Sequence, residues 1–405
     1  MFRHDASHTG FSEGAAPTTF PKQQWNYTVD ASATYPSDYH IPVINDGFVY
    51  VATADEEQAL YGVTCLESST GAVIWSFLTE GFPFNSPAVD GDRVYVGSGS
   101  PWKPTEGYIY CFDASDGVQV WNCSVGEPMD SPVNFADGRV FVESPGGNLY
   151  CLDAANGNKV WNYSTGGKAH GVCPAVANDY VFVGNEDGNV FSLDAANGAA
   201  IWNFTADDYV SSPAVAYGYV YFGSADGNAY CLNASSGDKV WNYTTWYNTA
   251  GPAHNYHWGN IVGSPALAYG YVYVGSSDFD VFCLDALTGE KVWNVTTGAG
   301  VAPPAVAGDC VYVCSYNGSL YCLNASSGSE NWRYAVGVYS AVYSGLGSPV
   351  IANGEVYVVS RQEASGIKNV SDQGYLIVLG LPSSVSAFPL VWVAFVVGVL
   401  IIVVG

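Results

Sequence analysis

Basic residues are scarce in this sequence, and so is charge in general. Only 12 of the 405 residues are Lys or Arg, against 37 Asp or Glu, which gives a formal net charge of −25 with 12% charged residues in all. A field of this sign repels phosphate backbones, so nucleic acid is excluded from the expected partners. It suits a solvated extracellular surface or one that attracts cations. A salt-adapted surface would also be acidic, though usually with more charge in total.

Helical periodicity is a second absence. Before the C terminus, no long stretch repeats its apolar residues with the period of an α-helix, so no helix is expected there. The chain instead contains 46 Gly, 30 Tyr and 12 Trp. Aromatic and β-branched residues at this density, interrupted by glycine, predict an all-β fold.

Short cysteine motifs are missing as well. Of the 10 cysteines no two are adjacent, and neither a Cys-x-x-Cys pair nor a Cys-x-x-Cys-His haem-attachment motif occurs. Ten cysteines in an exported chain would ordinarily suggest disulfides. Their placement within the repeat described below argues against that for most of them.

Both ends of the chain are unusual. The opening "MFRHDASHTG" has no apolar signal-peptide core. Residues 388–405 carry no charge and, with a few residues upstream, approach the ~20 that span a bilayer. We therefore predict a C-terminal transmembrane anchor, with a buried strand as the alternative. Taken literally, the chain would be tail-anchored and face the cytosol; if its start lies upstream, we expect it on the extracellular face of the cell membrane.

Tryptophan recurs along the chain with a period near 40 residues, interrupted by three insertions. Self-similarity at this period is typical of repeat architectures. The recurring residues, which we expect to be structural docking residues, are Trp25, Trp75, Trp121, Trp161, Trp202, Trp241, Trp293 and Trp332.

Other short sequence patterns recur with the same period as these tryptophans. Each unit holds a Pro-hydrophobic start such as "SPAV", a Val-Tyr-Val phrase, a Tyr-Cys-Leu phrase and a Trp-Asn phrase. Four short strands at this period predict one β-propeller blade. Trp25 has no preceding strands and the unit 348–381 lacks a Trp, so the N-terminal strand is expected to close the last blade. The prediction is an eight-bladed β-propeller of four-stranded antiparallel blades at 25–381, with a lead-in at 1–24, a linker at 382–387 and the anchor at 388–405.

The phrase "LDAANGNKVW" predicts a turn between the third and fourth strands. Asp153 can hydrogen-bond the backbone ahead and Gly157 permits positive φ, so the chain reverses and brings Trp161 to the outer strand. A large aromatic at one repeated position is expected to pack between blades. The segments "EDGN" at 186–189 and "ADGN" at 225–228 predict type I′ turns between the second and third strands.

Together these phrases resemble the pyrroloquinoline-quinone-type propeller repeat with its Gly-and-Trp docking motif, across essentially 25–381. The opening "MFRHDASHTG" resembles the segment that precedes the first blade in secreted prokaryotic members, especially archaeal ones. The resemblance implies two further functions. One is an assembly factor, because eight-bladed members include the lipoprotein of the bacterial outer-membrane barrel-assembly machine; this chain has no lipobox cysteine at its start.

The other implied function is a quinoprotein dehydrogenase. The alcohol-oxidising members of that group resemble this chain in repeat but are longer, commonly hold the quinone against a disulfide between adjacent cysteines, and bind calcium through Asp, Asn and Glu. The sequence shows no adjacent cysteines, and we cannot place a matching calcium and catalytic-Asp set. We therefore predict no catalytic residue, no cofactor and no firm metal ligand.

Most cysteines are expected to be small buried core residues. One position of the third strand holds Cys65, Cys111, Cys151, Cys231, Cys283 and Cys322, with Ser192 in the fourth unit. Equivalent positions in neighbouring blades should lie roughly 10 Å or more apart, which is too far for a disulfide. Cys310 and Cys314 share a strand face without being close enough to bond readily. Cys123 and Cys173 remain candidates for pairing with other cysteines.

Loops between blades supply the candidate ligand site. The loops that join each Trp strand to the next Pro strand should lie on one face near the central channel. They would place on one rim His40, Asp130, His170, Asp208, Trp246, His254, Tyr256, His257 and Trp258. His-x-x-His with carboxylates could bind a divalent metal, and the aromatic insert could bind sugar or peptide; plain loop solvation is the alternative.

Asn-x-Ser/Thr sequons are the remaining functional clue. They occur at Asn26, Asn122, Asn162, Asn203, Asn233, Asn242, Asn294, Asn317, Asn324 and Asn369. Six of them directly follow a repeat Trp, and neighbouring side chains on a strand point to opposite faces, so an inward Trp leaves its Asn facing outward. They are candidate N-glycosylation sites if the chain is exported. Copying of an Asn- and Thr-rich repeat would produce the same pattern.

From these observations we expect a non-catalytic, membrane-tethered surface propeller that binds or scaffolds protein or glycan partners. An assembly-factor role is the first alternative and a quinone-dependent dehydrogenase the second. The specific function should lie where the repeat copies differ, and the loop from Trp246 to Trp258 differs most.

Overall fold

The computed structural model describes residues 5, 7–12, 17–30, 41–55, 60–80, 85–99, 106–129, 131–169, 171–245, 263–336, 347–362 and 373–380. These residues form strands and turns without any α-helix. Nothing in them meets the length and apolarity of a membrane-spanning helix. The predicted anchor at 388–405 lies outside the described residues.

Thirty-three strands form eight sheets, which are the predicted blades. Blade 1 consists of β3 (Val43–Asn45), β4 (Phe48–Asp55), β5 (Leu60–Glu67) and β6 (Val73–Glu80), and blade 2 of β7 (Ala88–Asp90), β8 (Arg93–Gly99), β9 (Gly107–Asp113) and β10 (Gln119–Ser124). Blade 3 consists of β11 (Asn134–Ala136), β12 (Arg139–Glu143), β13 (Asn148–Asp153) and β14 (Lys159–Ser164), and blade 4 of β15 (Ala175–Ala177), β16 (Tyr180–Gly184), β17 (Asn189–Asp194) and β18 (Ala200–Thr205).

Blades 5 to 7 continue the pattern, and blade 8 combines both ends of the chain. Blade 5 consists of β19 (Ala214–Ala216), β20 (Tyr219–Gly223), β21 (Asn228–Asn233) and β22 (Lys239–Thr244), and blade 6 of β23 (Ala266–Ala268), β24 (Tyr271–Gly275), β25 (Asp280–Asp285) and β26 (Lys291–Thr296). Blade 7 consists of β27 (Ala305–Ala307), β28 (Cys310–Ser315), β29 (Ser319–Asn324) and β30 (Glu330–Ala335) with β1 (Phe11–Ser12). Blade 8 consists of β31 (Val350–Ala352), β32 (Glu355–Gln362) and β33 (Gln373–Gly380) with β2 (Lys22–Asp30).

Every blade has the same internal order. A three-residue strand lies innermost, two strands buried on both faces follow, and the tryptophan strand lies outermost; in blade 7, β1 is added on the inner side. In blade 3 the outer strand pairs Cys151 with Trp161 and Leu152 with Lys159, so Val160 forms a β-bulge. The same register shift precedes the tryptophan in all eight outer strands. A bulge leaves one residue unpaired and increases the twist, which turns the indole inward and leaves the preceding residue at the surface.

Tight turns follow a pattern different from the one predicted. Gly188 and Gly227 have φ of +82° and +86°, whereas Asp187 and Asp226 are absent from the residues with positive φ. The type I′ prediction for "EDGN" and "ADGN" is therefore wrong. Two successive residues of positive φ occur instead in the hairpin between the first and second strands, as at Tyr217 and Gly218 (+56° and +81°). A two-residue loop there demands the type I′ twist, and the longer loop between the second and third strands does not.

Adjacent blades are joined by a repeated contact of the tryptophan, as predicted. Trp202 Nε1 donates to Ala234 O of the next blade at 2.9 Å. A Cβ added to Gly237, which has φ +75°, would lie 2.6 Å from the Trp202 ring. Glycine is thus required twice, for the turn and for the close approach of the indole. Indole donors reach a carbonyl of the next blade in the same way at Trp25, Trp75, Trp121, Trp161, Trp241 and Trp293. Trp332 Nε1 instead donates to Pro17 O of the lead-in.

The second strand reinforces this contact in several blades. Tyr221 OH donates to Ala286 O at 3.1 Å, and Trp241 Nε1 reaches the same oxygen at 3.0 Å. The Tyr221 and Trp241 rings pack with centroids 6.0 Å apart. A carbonyl oxygen has two lone pairs, so one acceptor satisfies both buried donors.

Strand β2 closes the ring, as predicted. It pairs antiparallel with β33 along the length of both strands and supplies Trp25 to blade 8. This joins the first and last parts of the chain into one blade. Blade 8 therefore has no covalent turn between its third and fourth strands.

Residues of the lead-in segment run along the inner edges of several blades. Backbone hydrogen bonds join Val215 N to Ser7 O, Leu267 N to Thr9 O and Val306 N to Gly10 O at 2.7–2.8 Å. Strand β1 then pairs in parallel with the inner strand of blade 7. The segment thus fills edge positions that the three-residue inner strands would leave open toward the axis.

His8 fixes the lead-in in this position. Its side chain is fully buried, with Nδ1 3.1 Å from Pro213 O and Nε2 3.2 Å from Asn134 Nδ2. A carbonyl can only accept and an amide nitrogen can only donate, so these partners assign the ring proton to Nδ1. The histidine thereby joins blade 3 to blade 5 through the axis.

The repeated cysteines are buried core residues, as predicted. Cys65, Cys111, Cys151, Cys231, Cys283 and Cys322 are all 0% exposed, and none forms a disulfide. Burial raises the pKa of the Cys283 thiol to about 12. Desolvation disfavours the thiolate, so such a thiol packs as a small apolar group.

Candidate binding face

The two faces of the ring carry different connections. Because the strands alternate in direction, the loops between blades and the hairpins between second and third strands share one face. We call this the loop face. The hairpins between first and second strands and the glycine turns against the tryptophans share the other, the turn face. Ligand sites need chemistry that differs between copies, and the loop face has the longer and less repetitive segments.

Only one of the predicted rim residues can be placed. Asp208 is exposed on the loop face, and its Oδ1 accepts from Tyr209 N at 2.8 Å. Its backbone oxygen accepts from Ser224 Oγ at 3.0 Å. The remaining rim residues lie outside the described residues: His40, Asp130, His170, Trp246, His254, Tyr256, His257 and Trp258.

A fixed carboxylate lies between blades 2 and 3 on this face. Glu127 Oε1 accepts from Asn148 Nδ2 at 2.9 Å and from Tyr150 OH. A Cβ on Gly146 would approach Glu127 Oε2 to 2.8 Å, so glycine leaves room for the carboxylate. Burial and the nearby Glu127 carboxylate raise the pKa of the Tyr150 phenol. The phenol therefore remains a donor that orients Glu127.

The next hairpins repeat this device with other residues. Asn185 is fully buried, and its Oδ1 accepts from Asp187 N and Asn189 N at 3.1 and 2.9 Å. In blade 5, Tyr230 OH donates to Asp226 Oδ2 at 2.6 Å. Polar side chains thus rigidify the loop-face hairpins from blade 3 to blade 5.

This sector of the loop face is strongly acidic. The described segments 125–129, 143–148, 165–169, 185–189, 206–210 and 224–228 contain Lys168 as their one cation. Their carboxylates that reach the surface are Glu127, Glu186, Asp187, Asp207, Asp208 and Asp226, whereas Glu143 is fully buried. A patch of this sign attracts cationic surfaces and accelerates their association. Within the described residues, no three metal-ligating side chains are grouped to hold an ion.

One small cavity among the described residues lies beside the lead-in. A cavity of about 20 Å³ lies between Gly10–Ser12 and the inner strands of blades 7 and 8. This volume is close to the minimum that holds one water molecule. Binding at this point would require displacement of the lead-in, whereas the faces of the ring are accessible.

Sequon asparagines of the described residues occupy three kinds of position. The six that follow a tryptophan are exposed on outer strands, as the strand alternation predicted: Asn26, Asn122, Asn162, Asn203, Asn242 and Asn294. Asn233 and Asn324 serve the third-to-fourth-strand turn, where each Oδ1 accepts backbone N–H groups at 3.0–3.1 Å. Asn317 Nδ2 donates to Thr297 O and Tyr321 OH. Asn369 lies outside the described residues.

The sequon threonines have a structural use in three blades. Thr205, Thr244 and Thr296 each donate from Oγ1 to the facing residue of the third strand, at 2.5–2.7 Å. Cross-strand hydrogen bonds of this kind stabilise a sheet. The fold alone is therefore a sufficient reason for the Asn-x-Thr pattern in these blades.

Comparison with known proteins assigns the family. The family model described as "Outer membrane protein assembly factor BamB" matches residues 22–101, 105–293 and 277–375. The chain belongs to this family. Among curated proteins, none matches the sequence significantly.

Solved structures of other members and of related propellers share the fold of this BamB-family chain. BamB from Moraxella catarrhalis is similar with a TM-score of 0.61 at 19% identity, covering 90% of this chain and 99% of that one. A europium-containing methanol dehydrogenase gives 0.71 at 14% identity over 94% and 97%. The computationally designed Ika8 protein gives 0.65 at 13% identity over 88% and 100%. An assembly factor, an enzyme and a designed protein thus share this fold, so function must be argued from the sites.

One local constellation was missed by the sequence reasoning. Cys310 and Cys322 lie side by side in blade 7 beneath Asn331. The sequence did contain a signal for this pair. The residue before the repeat tryptophan is Val or Ile in blades 1 to 6, but it is Asn331 in blade 7.

Proposed function

We propose that this chain is a non-catalytic scaffold of the cell envelope that binds protein partners on its loop face. The observation that carries the proposal is the family match across most of the propeller. The family's description names an assembly factor of outer-membrane proteins, which points to a protein as the partner. The acidic sector from blade 3 to blade 5 favours a partner with a basic surface, because complementary charge steers association.

Site-specific photo-crosslinking tests this proposal. A photoreactive residue replaces Asp187 or Asp208 on the loop face, or Asn156 on the turn face as the matched exposed control. We expect protein adducts from the two loop-face positions in native envelopes, weaker at high ionic strength because salt screens exposed charges. Equal adducts from Asn156, or none from the loop face, would contradict the proposal. A glycan partner would instead appear as retention on immobilised polysaccharide without protein adducts.

Cell-surface display is part of the same proposal. The uncharged segment 388–405 and the exposed sequons at the perimeter support a propeller held outside the membrane. Proteolysis of intact cells should then digest the propeller while cytosolic markers survive. A protein that survives with those markers would overturn the location and leave the binding proposal intact.

A quinoprotein dehydrogenase is the competing function. The similarity to the europium-containing methanol dehydrogenase over 94% of this chain favours testing it directly. Purified protein would be mixed with pyrroloquinoline quinone and calcium or a lanthanide, and dye-linked alcohol oxidation measured. We expect no oxidation above the rate of the cofactor alone. Saturable oxidation would overturn the non-catalytic assignment.

A further inference from the structure

Blade 7 differs from the other blades at two neighbouring positions. The first residue of the second strand is Cys310, whereas blades 1 to 6 have Phe, Arg or Tyr there. The bulge residue before the tryptophan is Asn331, whereas blades 1 to 6 have Ile or Val. Blade 8 also differs at both positions, with Glu355 and Gln24, but only in blade 7 do the two changed residues include a second cysteine beside the repeated one, Cys322.

These changes bring two thiols together. Tyr312 pairs directly with Cys322, and Cys310 with Asn324, so both cysteines lie on one face of adjacent antiparallel strands and are diagonal neighbours. Asn331 Nδ2 lies 3.3 Å from Cys310 Sγ and 3.6 Å from Cys322 Sγ. Both cysteines are buried, at 1% and 0% exposure, while Asn331 above them faces solvent.

Hydrogen bonds make the two thiols unequal. Donation from the Cys322 thiol and from Asn331 lowers the pKa of Cys310 against the opposing effect of burial. The bond to Cys310 and burial raise the pKa of Cys322. In blade 6 the position of Cys310 is held by Tyr271, and burial raises the pKa of the repeat cysteine there, Cys283. A nucleophilic thiolate beside a protonated thiol is the arrangement that thiol–disulfide exchange requires.

We propose that Cys310 and Cys322 are a reversible redox pair that small-molecule disulfides oxidise to an intramolecular disulfide. The Cys310 thiolate attacks one sulfur of the external disulfide, whose S–S bond breaks and releases one thiolate. Cys322 then loses its proton and attacks the Cys310 sulfur, releasing the second external thiol. The two protein thiols are oxidised, and one external disulfide is reduced to two thiols.

The register explains why such a bond would be reversible. Diagonal neighbours on antiparallel strands have Cα atoms about 7–8 Å apart. A disulfide forms without backbone movement only below about 7 Å. Closing the bond therefore needs a local shift of β28 against β29, and a bond formed under such constraint is more readily reduced. Neighbouring β30 is an edge strand with a bulge at Asn331, which gives the site room to adjust.

The pair also lies against the lead-in segment. Pro17 O accepts from Trp332 Nε1 at 3.0 Å and from Tyr312 OH at 2.9 Å, and Cys322 Sγ lies 3.9 Å from the same oxygen. Oxidation removes the Cys322 hydrogen and moves its strand. The redox state of the pair is therefore coupled to how firmly the lead-in is held.

Mass spectrometry of the full chain tests the proposal. Reduced protein is treated with cystine, remaining thiols are alkylated in denaturant, and the digest is searched for cross-linked peptides. We expect a Cys310–Cys322 cross-link two hydrogens lighter than the reduced pair, while Cys65, Cys111, Cys151, Cys231 and Cys283 remain alkylated. Added dithiothreitol should reverse it.

Matched variants separate this chemistry from a folding effect. Cys310→Tyr installs the residue of blade 6 and should abolish the cross-link, whereas Cys283→Ser should leave it unchanged. Asn331→Val installs the residue of other blades and should slow cross-linking because a donor to the thiolate is lost. If Cys310→Tyr does not fold, the rates of wild type and Asn331→Val still decide.

Two results would overturn the redox pair. One is that the partly exposed Cys123 is oxidised while Cys310 and Cys322 stay alkylated. The other is that cystine leaves a stable mixed disulfide on Cys310, which shows that Cys322 does not resolve it.

Discussion

Seven interfaces between blades are formed by the repeated tryptophan contact, and the eighth is formed by a contact with the lead-in. At each interface from blade 8–blade 1 to blade 6–blade 7, the indole donates to a carbonyl in the turn between the third and fourth strands of the next blade, which we call the docking turn. The indole also packs on the glycine of that turn. Between blades 7 and 8, Trp332 Nε1 reaches Pro17 O of the lead-in at 3.0 Å. Blade 8 has no docking turn because its third and fourth strands come from opposite ends of the chain.

The difference shows what a repeat can and cannot supply. Contacts between neighbouring blades can repeat around a propeller. Blade 8 has no turn between its third and fourth strands because β2 completes it, so the repeated contact cannot form there. The lead-in replaces that turn with a single carbonyl and adds backbone bonds along the axis. Stability at the regular interfaces and at the closure should therefore respond to different mutations.

Deleting residues 1–18 should have the largest effect. It leaves β2 in place but removes the acceptors of Trp332, Tyr312, Val215, Leu267 and Val306. Unsatisfied buried donors cost about 1–3 kcal/mol each, so we expect a loss of roughly 5 kcal/mol. Denaturant unfolding of the truncated and full chains would measure it. A loss below about 1 kcal/mol would mean that the closure does not depend on the lead-in.

Gly237→Ala should have the next largest effect. The new Cβ would lie 2.6 Å from the Trp202 ring at a residue of φ +75°. Strain and overpacking together should cost about 3 kcal/mol. Gly218→Ala is the matched control, since it has φ +81° and no atom within 4 Å of the new Cβ; it should cost about 1 kcal/mol. Equal costs would show that the contact with tryptophan contributes nothing.

Replacing single tryptophans should compare the two kinds of interface directly. Trp202→Phe and Trp332→Phe each remove an indole donor, and each should cost about 2 kcal/mol. In the chain lacking residues 1–18, Trp332→Phe should add little because its acceptor is already gone, whereas Trp202→Phe should add its full cost. Unfolding of the four variants completes the cycle. Additivity of Trp332→Phe with the deletion would contradict the assigned contact.

Asp285→Asn should have the smallest effect. Asn233 and Asn324 already fill this turn position in blades 5 and 7, so we expect a change within about 0.5 kcal/mol at neutral pH. Backbone hydrogen bonds from Thr288 and Leu287 lower the pKa of Asp285 in the folded state. Its contribution is therefore present above the unfolded pKa and is lost as pH falls through the folded one. As the pH falls below 4, the variant should therefore lose less stability than the wild type, as measured by thermal unfolding.

The repeated features of this molecule could be predicted because each has the same local cause in every copy. Trp161, Gly157 and Asp153 recur at fixed spacing, and the spacing implies a turn, a strand and a docking contact without reference to the rest of the chain. The closure by β2 followed from the same count, since the unit around Trp25 lacked partners and the last unit lacked a tryptophan.

Features that depend on distant contacts, strand register or loop length were missed or misassigned. The path of His8 along the axis depends on contacts with Asn134 and Pro213, more than a hundred residues away in sequence. The thiol pair depends on the strand register between β28 and β29. The type I′ turns were assigned to the wrong hairpin because Asp-Gly was read without the loop length, which decides the twist. Of the predicted rim, Asp208 alone falls within the described residues.

The position of the lead-in has a consequence for the order of synthesis. Ser7, Thr9 and Gly10 are made well before their partners Val215, Leu267 and Val306. Strand β2 likewise waits for β33, at the far end of the propeller. The lead-in can therefore bind only after most of the propeller has been made, and contacts of such long sequence separation slow folding. During synthesis the growing propeller remains an open arc, with its inner edges available to any other strand.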